Sequence, residues 1–338
     1  MKSGMKILIT GAYGFVGTNL CRYLVERGHV CDALDIPESR RADVPYSAFH
    51  TWDEITATHT SSLILHTYDA VVHLAGKAHD LTKVASEQSY FDVNVGLTQR
   101  IFEALSQQVK SEGEKVKVRG EGEQRKITFI YFSSSKASAT GNAYGRSKLA
   151  AEEYLTSAVH LHLSPSPLCV AILRPAMIHG PGNKGNLNLL WGLARRGLPW
   201  PLAAFENRRS FTSIGNVCAA VEALVEKEIE PSAIQHSSFK LHTFSVADDE
   251  MLSTNRLIEL MAEACGKKAK LWRLPKGLMR FAAKVGDVLH LPLNTERIEK
   301  LTEDSFVDNA ELKRALGWER MPVRAEDGMR MTLRSFMS

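Results

Sequence analysis

Lys6-Ile7-Leu8-Ile9-Thr10-Gly11-Ala12-Tyr13-Gly14-Phe15-Val16-Gly17 is the stretch on which the fold turns. Ile7 to Thr10 is a short apolar run with the length of a buried strand. Gly14 to Arg27 carries Val16, Leu20, Tyr23 and Leu24 at helical spacing before Gly28 ends the pattern. The glycines between them permit a tight turn and let the backbone approach a pyrophosphate closely. The helix start then offers free N–H groups and a partial positive charge to the phosphates. The strand–loop–helix context separates this reading from a glycine-rich turn that binds nothing. Asp35 ends the next predicted strand, Val30 to Asp35, 18 residues after Gly17. A carboxylate there accepts hydrogen bonds from both adenosine ribose hydroxyls and repels a 2′-phosphate, favouring NAD over NADP. Arg40 and Arg41 follow and soften that preference.

Outward from this unit, short apolar runs alternate with helix-period segments: strands at Ala70–Leu74, Lys126–Ser133 and Cys169–Leu173, helices at 87–105 and 143–159. That alternation predicts an α/β fold, a Rossmann-type doubly wound parallel sheet flanked by helices. Ser106 to Lys126 is charged, contains glycine and shows no hydrophobic period, so it reads as a surface loop. Beyond Pro175 breakers multiply, at Gly180-Pro181-Gly182, Gly185, Pro199 and Pro201. The expected division is a dinucleotide-binding domain over 1–175, to which later segments can return, and a smaller, mainly substrate-binding region over 176–338. Around Lys276 to Leu291 apolar residues follow a helical period with Lys and Arg between them. A membrane-surface helix has that pattern, but a core-facing helix of the second region is the preferred reading.

Composition excludes several classes. The 338 residues are 44% hydrophobic and 24% charged, as in ordinary globular proteins, and a net charge of +4 is too mild to suggest a nucleic-acid binder. Five scattered cysteines without a C-x-x-C pair argue against a disulfide framework and a zinc site, and twelve histidines show no H-E-x-x-H spacing. No apolar run reaches the length of a membrane span, and the N-terminal run is too short for a signal peptide. A reducing, cytoplasmic setting is expected.

Tyr144-Gly145-Arg146-Ser147-Lys148 opens the predicted helix at 143–159, and a separation of four puts both side chains on one face. A nearby ammonium favours the phenolate, lowering the tyrosine toward the working range of an acid/base. Ser133-Ser134-Ser135 at the end of the preceding strand supplies hydroxyls to hold a substrate oxygen. Alone, Y-x-x-x-K is a weak signal in a chain with eight tyrosines; beside the glycine loop and the serine-ended strand it is strong.

With His73-Leu74-Ala75-Gly76, Phe91-Asp92-Val93-Asn94-Val95-Gly96 and Leu173-Arg174-Pro175, these motifs resemble the extended short-chain dehydrogenase/reductases. Within them the chain is similar to the nucleotide-sugar epimerase/dehydratase family over nearly its whole length, Asn207-Arg208-Arg209-Ser210-Phe211 and Leu316-Gly317-Trp318 included. The resemblance implies that Gly11, Gly14, Phe15, Val16 and Gly17 line the pyrophosphate and that Asp35 takes the ribose. Leu74, Ala75 and Gly76 would lie along the cofactor with Asn94 supporting them. Tyr144 would be the acid/base, Lys148 would bind the nicotinamide ribose, and Pro175 and Ile178 would border the nicotinamide. Ser134 is the best match to the catalytic hydroxyl, with Ser135 as the alternative. On the sugar side, Arg209 would grip the nucleotide diphosphate, with Asn183, Lys184 and Asn186 near the substrate. A homodimer is compatible with the resemblance.

Sugar 4,6-dehydratases place an Asp-Glu pair after the catalytic hydroxyl; here Ser135 and Lys136 stand there, which speaks against dehydration. Two departures fall on the sugar side. Only eight residues separate Ser135 from Tyr144, and Thr302-Glu303-Asp304-Ser305-Phe306 replaces the family's arginine-bearing segment. The expected activity is NAD-dependent 4-epimerisation of a nucleotide-sugar, a UDP-sugar first. The alternative is reduction of a 4-keto-sugar nucleotide by NAD(P)H, as in the branch of 4-keto-6-deoxy-hexosamine reductases of surface-polysaccharide pathways. A non-catalytic NAD-binding regulator would have no need of Tyr144, Lys148 and Ser134 together.

Overall fold

The structure, a computed structural model, describes residues 4–55, 62–78, 86–112, 126–162, 168–183, 187–227, 241–289 and 294–337. In chain order it begins β1 (Lys6–Thr10), α1 (Phe15–Glu26), β2 (Val30–Leu34), β3 (Ala48–His50), β4 (Ala70–His73), α2 (Glu87–Asn94), α3 (Gly96–Glu112) and β5 (Ile127–Phe132). There follow α4 (Ala143–His162), β6 (Leu168–Pro175), β7 (Met177–His179), α5 (Leu187–Arg195), β8 (Phe211–Ser213), α6 (Ile214–Glu226) and β9 (Leu241–Val246). Helices α7 (Thr254–Ala264), α8 (Lys276–Leu289), α9 (Thr295–Thr302), α10 (Ala310–Leu316) and α11 (Ala325–Ser335) complete the chain.

Contacts divide it into two units. The first comprises Met1–Pro175, Val217–Val246 and Ala310–Glu319. Its sheet has the order β3-β2-β1-β4-β5-β6-β9, parallel throughout. The strand order reverses between β1 and β4, which makes the carboxyl ends of these strands the crevice where open α/β sheets take ligands. Register keeps those ends level: Thr10 pairs with Leu34 and His73, and His73 with Tyr131. All six residues of β5 are buried, as expected of a strand covered on both faces. The core joins the strands to α3 and α4 through Leu8, Phe102, Leu105, Phe129, Leu155 and Ile172.

Two sequence readings change. Ser106 to Glu112 is not loop but the last two turns of α3. Leu105 and Val109 continue its buried face at a four-residue interval, a period that the charged neighbours hid. The rest of that stretch, 113–125, lies outside the described residues. The helix at 87–105 is divided at Val95 into α2 and α3.

The second unit comprises Ala176–Asn216, Ala247–Asn309 and Arg320–Ser338. A two-stranded parallel sheet, β7 with β8, packs with helices around Trp191, Phe211, Leu257, Met261, Met329 and Leu333. Helix α8 faces the core of this unit as expected, through Met279 and Ala283, but Leu278, Phe281, Val285, Val288 and Leu289 of the same apolar pattern are exposed. No helix among the described residues is long and apolar enough to cross a membrane.

Candidate active site

The glycine loop occupies the gap between β1 and α1, and each glycine is there for a separate steric reason. Gly11 has φ +62°, and a Cβ on it would stand 2.7 Å from the Ala75 backbone nitrogen. A Cβ on Gly17 would fall 2.5 Å from the Ala12 carbonyl oxygen, so only glycine lets α1 sit this close to the loop. At Gly14 a Cβ would meet just the Gly11 carbonyl, leaving the outer side of the turn clear. Gly14 also caps α1 without a side-chain hydrogen bond, Phe15 and Val16 open the helix, and its first turn holds no acid. Free N–H groups, an unopposed helix dipole and a bare backbone fit a pyrophosphate.

Asp35 lies one residue beyond β2, half-buried, and accepts the Tyr13 and Ile36 backbone N–H groups at 3.0 and 2.8 Å. Its carboxylate is thereby fixed at the edge of the loop. Beside it opens a cleft of about 510 Å³ lined by Tyr13, Arg40, Arg41, Tyr46 and Phe49 among others. Arg41 donates to the Thr18 hydroxyl at 2.7 Å, and Arg40 stacks 5.2 Å from the Phe49 ring centroid.

Past β4, a relay of hydroxyls and a histidine holds the segment Leu74-Ala75-Gly76 against β1. Leu74 donates its N–H to the Thr10 carbonyl, and Ala75 donates its own to the Thr10 hydroxyl. The Thr98 hydroxyl donates to the Asn94 carbonyl and so accepts from His73 Nε2–H at 3.0 Å. His73 Nδ1 then accepts from Thr10 at 2.7 Å. Burial, with the Lys148 charge second, depresses His73 to about 3, so it stays neutral and serves as a brace. Asn94, also buried, accepts the Lys77 N–H at 2.7 Å and donates to the Lys77 carbonyl and the Ser147 hydroxyl. It ties the β4 segment to α4 one residue before Lys148. A Cβ on Gly76 would stand 2.8 Å from Asn94 Oδ1 and 3.1 Å from Lys148 Nζ.

On α4, Tyr144 and Lys148 do share a face. The Tyr144 phenol is hydrogen-bonded to Ser134, whereas Ser135 is exposed. Lys148, 5% exposed, donates to the Phe132 carbonyl at 2.7 Å, and burial depresses it to about 8. The electrostatics differ from the expectation of a lowered phenol. Burial raises Tyr144 above its ordinary value, and the Ser134 hydrogen bond offsets only part of this. In the protein alone Tyr144 is therefore a neutral acid, because desolvation penalises the phenolate more than its neighbours favour it.

Sequence reasoning missed Glu152. It lies one further turn along α4, nearly buried, accepting hydrogen bonds from the Ser133 hydroxyl and from Arg174, whose Nε stands 2.9 Å from Oε1. Its charge works against the desolvation of Lys148. The signal was present as Tyr144, Lys148 and Glu152 at intervals of four, but a glutamate at that spacing is ordinary on any helix.

Pro175 ends β6, its carbonyl accepting the Ser135 N–H at 3.0 Å. The remaining sequence-predicted residues belong to the second unit. Ile178 is in β7, paired with Thr212. Asn183 donates its N–H to the Gly180 carbonyl, and its own carbonyl accepts from Asn188. Lys184 and Asn186 lie outside the described residues. Arg209 exchanges backbone hydrogen bonds with Leu252, and its guanidinium donates to the Lys300 carbonyl at 2.8 Å. Ser305 pairs with the backbone on either side of Arg209, so the segment lacking an arginine runs directly alongside it. Burial lowers Arg209, with Glu303 opposing.

These geometries can be set against known proteins. The profile of the NAD dependent epimerase/dehydratase family matches residues 7–235. A UDP-glucose 4-epimerase of Vibrio cholerae is 28% identical, over 99% of this chain and 97% of its own length. An N-acetyl-α-D-glucosaminyl-diphospho-ditrans,octacis-undecaprenol 4-epimerase of Escherichia coli O157:H7 is 27% identical, over 84% of this chain and 79% of its own. Among solved structures, a UDP-N-acetylglucosamine 4-epimerase from Bacillus cereus superposes with a TM-score of 0.69 at 19% identity, covering 99% of this chain and 100% of the other. With a profile match over more than half its length, this chain belongs to the NAD-dependent epimerase/dehydratase family, as an enzyme of the extended short-chain dehydrogenase/reductase type.

Proposed function

We propose that the protein is a UDP-sugar 4-epimerase that uses NAD, with Tyr144 as its acid/base. The observation that carries the reading is the hydrogen-bonded pair Ser134–Tyr144, with Lys148 buried one turn on, beside the β4 segment that Asn94 secures. The nicotinamide, when bound, supplies a hydride acceptor that returns the hydride to the opposite face of the sugar. What the chain contributes is control of one proton and of position. Ser134 holds the C4 oxygen, and Tyr144 takes its proton during oxidation and gives it back during reduction. Lys148, pinned by the Phe132 carbonyl, supports the phenolate and reaches the adjacent ribose. Lys148 would favour the phenolate that burial disfavours, and the positive charge of an oxidised nicotinamide, when bound, would act in the same sense.

The cofactor residues are Gly11, Gly14, Phe15, Val16, Gly17, Asp35, Leu74, Ala75, Gly76, Asn94, Pro175 and Ile178, with Tyr144 and Lys148. Asp35 selects NAD by repelling a 2′-phosphate. On the sugar side, Arg209 holds the diphosphate with a planar, charge-assisted fork, and Asn183, Lys184 and Asn186 meet the sugar. Ser135 and Lys136 lie after Ser134 in exposed positions, so no acid–base pair stands there for elimination of water.

A second substrate class is a sugar carried on a polyprenyl diphosphate, as the name of the Escherichia coli relative describes for that protein. Both classes present the glycosyl diphosphate that Arg209 would grip. The test is incubation with UDP-sugars and with polyprenyl-diphosphate-linked N-acetylglucosamine, with and without NADH, followed by NMR of the sugar. Epimer formation without added NADH supports the proposal. Product that appears only with stoichiometric NADH and a 4-keto substrate identifies a reductase instead.

A further inference from the structure

Helix α8 carries two apolar stripes, and its core accounts for one. Met279, Ala283 and Gly286 face inward, at intervals of four and three. A second stripe, also at helical spacing, points to solvent: Leu278 is 53% exposed, Phe281 65%, Val285 38% and Val288 77%. A surface helix places polar residues on its wet face, and contiguous exposed apolar surface marks an interaction site. Arg280 and Lys284, both exposed, border this stripe at helical spacing. From 267 to 289 the chain holds seven lysines and arginines against a single acid, Asp287. That acid is itself occupied, accepting from the Thr295 N–H at 3.0 Å and from its hydroxyl. Just ahead of the helix, Trp272 is 54% exposed although its backbone is held by the Trp200 carbonyl at 2.9 Å and the Ala203 N–H at 3.3 Å. Its indole is displayed on a fixed segment.

We propose that the outer face of α8, with Trp272, docks the protein on an anionic lipid bilayer. The stripe of Leu278, Phe281, Val285 and Val288 enters the headgroup boundary, and Arg280 and Lys284 meet lipid phosphates. A basic helix with a strong apolar face lies in the plane of the interface in this way, and tryptophan favours the same depth. Charge complementarity selects a membrane over a second copy of this chain, since a two-fold contact through this face would set its cations against themselves. The docking surface is independent of which glycosyl diphosphate the active site takes.

Co-sedimentation with vesicles tests this on the full chain. The protein should pellet with phosphatidylcholine–phosphatidylglycerol vesicles at low salt, about tenfold or more tighter than with phosphatidylcholine alone, and salt should weaken the binding. F281E/V288E should lower the affinity by roughly tenfold or more, and R280E/K284E should abolish the preference for phosphatidylglycerol. Both pairs are exposed, so thermal unfolding and turnover of a soluble UDP-sugar should stay native. No preference of the native chain for anionic vesicles, or native binding by both variants, overturns the proposal. So does a change in oligomeric state of F281E/V288E in sedimentation velocity, which would make this face a contact between copies. Because turnover is read separately, an inactive native chain counts against the epimerase reading and leaves the vesicle result standing.

Discussion

Tyr144 and Lys148 show how differently two neighbouring ionisable groups can be set by one environment. Both are deprived of water, so the phenol rises and the ammonium falls to about 8, and each is pushed toward its neutral form. Tyr144→Phe keeps the ring and removes only the proton. Turnover should fall by something on the order of 10²–10⁴-fold, with NAD affinity nearly unchanged; near-native turnover would remove Tyr144 from the chemistry. Lys148 yields a prediction about stability. The unfolded chain holds its proton up to about the ordinary 10.5, the folded chain only up to about 8. Below pH 8 both states are charged and folding bears the full cost of burying the ammonium; between 8 and 10.5 stability rises as the folded state sheds the proton. Above 10.5 the cost is gone. Lys148→Met should therefore stabilise the cofactor-free protein at pH 7 by up to about 3 kcal/mol, less about 1 for the hydrogen bond lost at the Phe132 carbonyl. The gain should vanish above pH 10.5, while activity drops. Urea unfolding at both pH values decides it, and a variant no more stable than wild type at pH 7 would count against a charged, buried Lys148.

Elements position these residues through their ends. The carboxyl termini of β1, β2, β4 and β5 are level in the sheet, which brings Gly11, Asp35, Leu74 and Ser134 to one edge from widely separated places in the sequence. Cofactor choice belongs to this scale, because it depends on what the β2 end and the segment after it present together. Asp35 would repel a 2′-phosphate placed beside it, while Arg40 and Arg41 in the adjoining cleft would attract one. NAD(H) should bind more tightly than NADP(H) to the native protein. Asp35→Asn keeps the shape, removes the charge and should narrow or reverse the preference by weakening NAD and strengthening NADP. Calorimetry with both cofactors on both proteins measures this, and equal binding by the native chain would show that the arginines outweigh Asp35.

At the scale of the whole molecule, the proposed ligand residues are divided between the two units. The glycine loop, Asp35, Ser134 and the Tyr144–Lys148 pair lie in the first unit, and Ile178 and Arg209 lie in the second. Arg209→Ala should weaken UDP and UDP-sugar binding by roughly 2–5 kcal/mol, as for truncating one partner of a buried charged contact, and leave NAD binding in place. Arg209→Lys should recover only part, since an ammonium lacks the planar fork. Hydrogen exchange should show the same partition, with NAD protecting the β1–α1 loop and UDP protecting the strands around Arg209 and Ser305. Protection by UDP confined to the first unit would take Arg209 out of the site.

What the sequence determined by itself is what covalent spacing settles. The glycine loop between strand and helix, the acid after β2, and Tyr144 four residues before Lys148 are local patterns whose geometry follows from helical and extended periods. The α/β class follows from their alternation. Other features came only with the tertiary structure. Ser134 rather than Ser135 meets Tyr144 because of how β5 ends against α4. Buried Glu152 and Ser133 join half-buried Arg174 in one cluster across α4, β5 and β6. The upward shift of Tyr144 reverses what local pattern suggested, and the solvent-facing stripe of α8 stands beside the core-facing one that the pattern led us to expect. The physical reason is common to these cases. Desolvation and side-chain pairing depend on everything packed around a group, most of it distant in sequence, and a periodic pattern says that a face is apolar without saying what covers it.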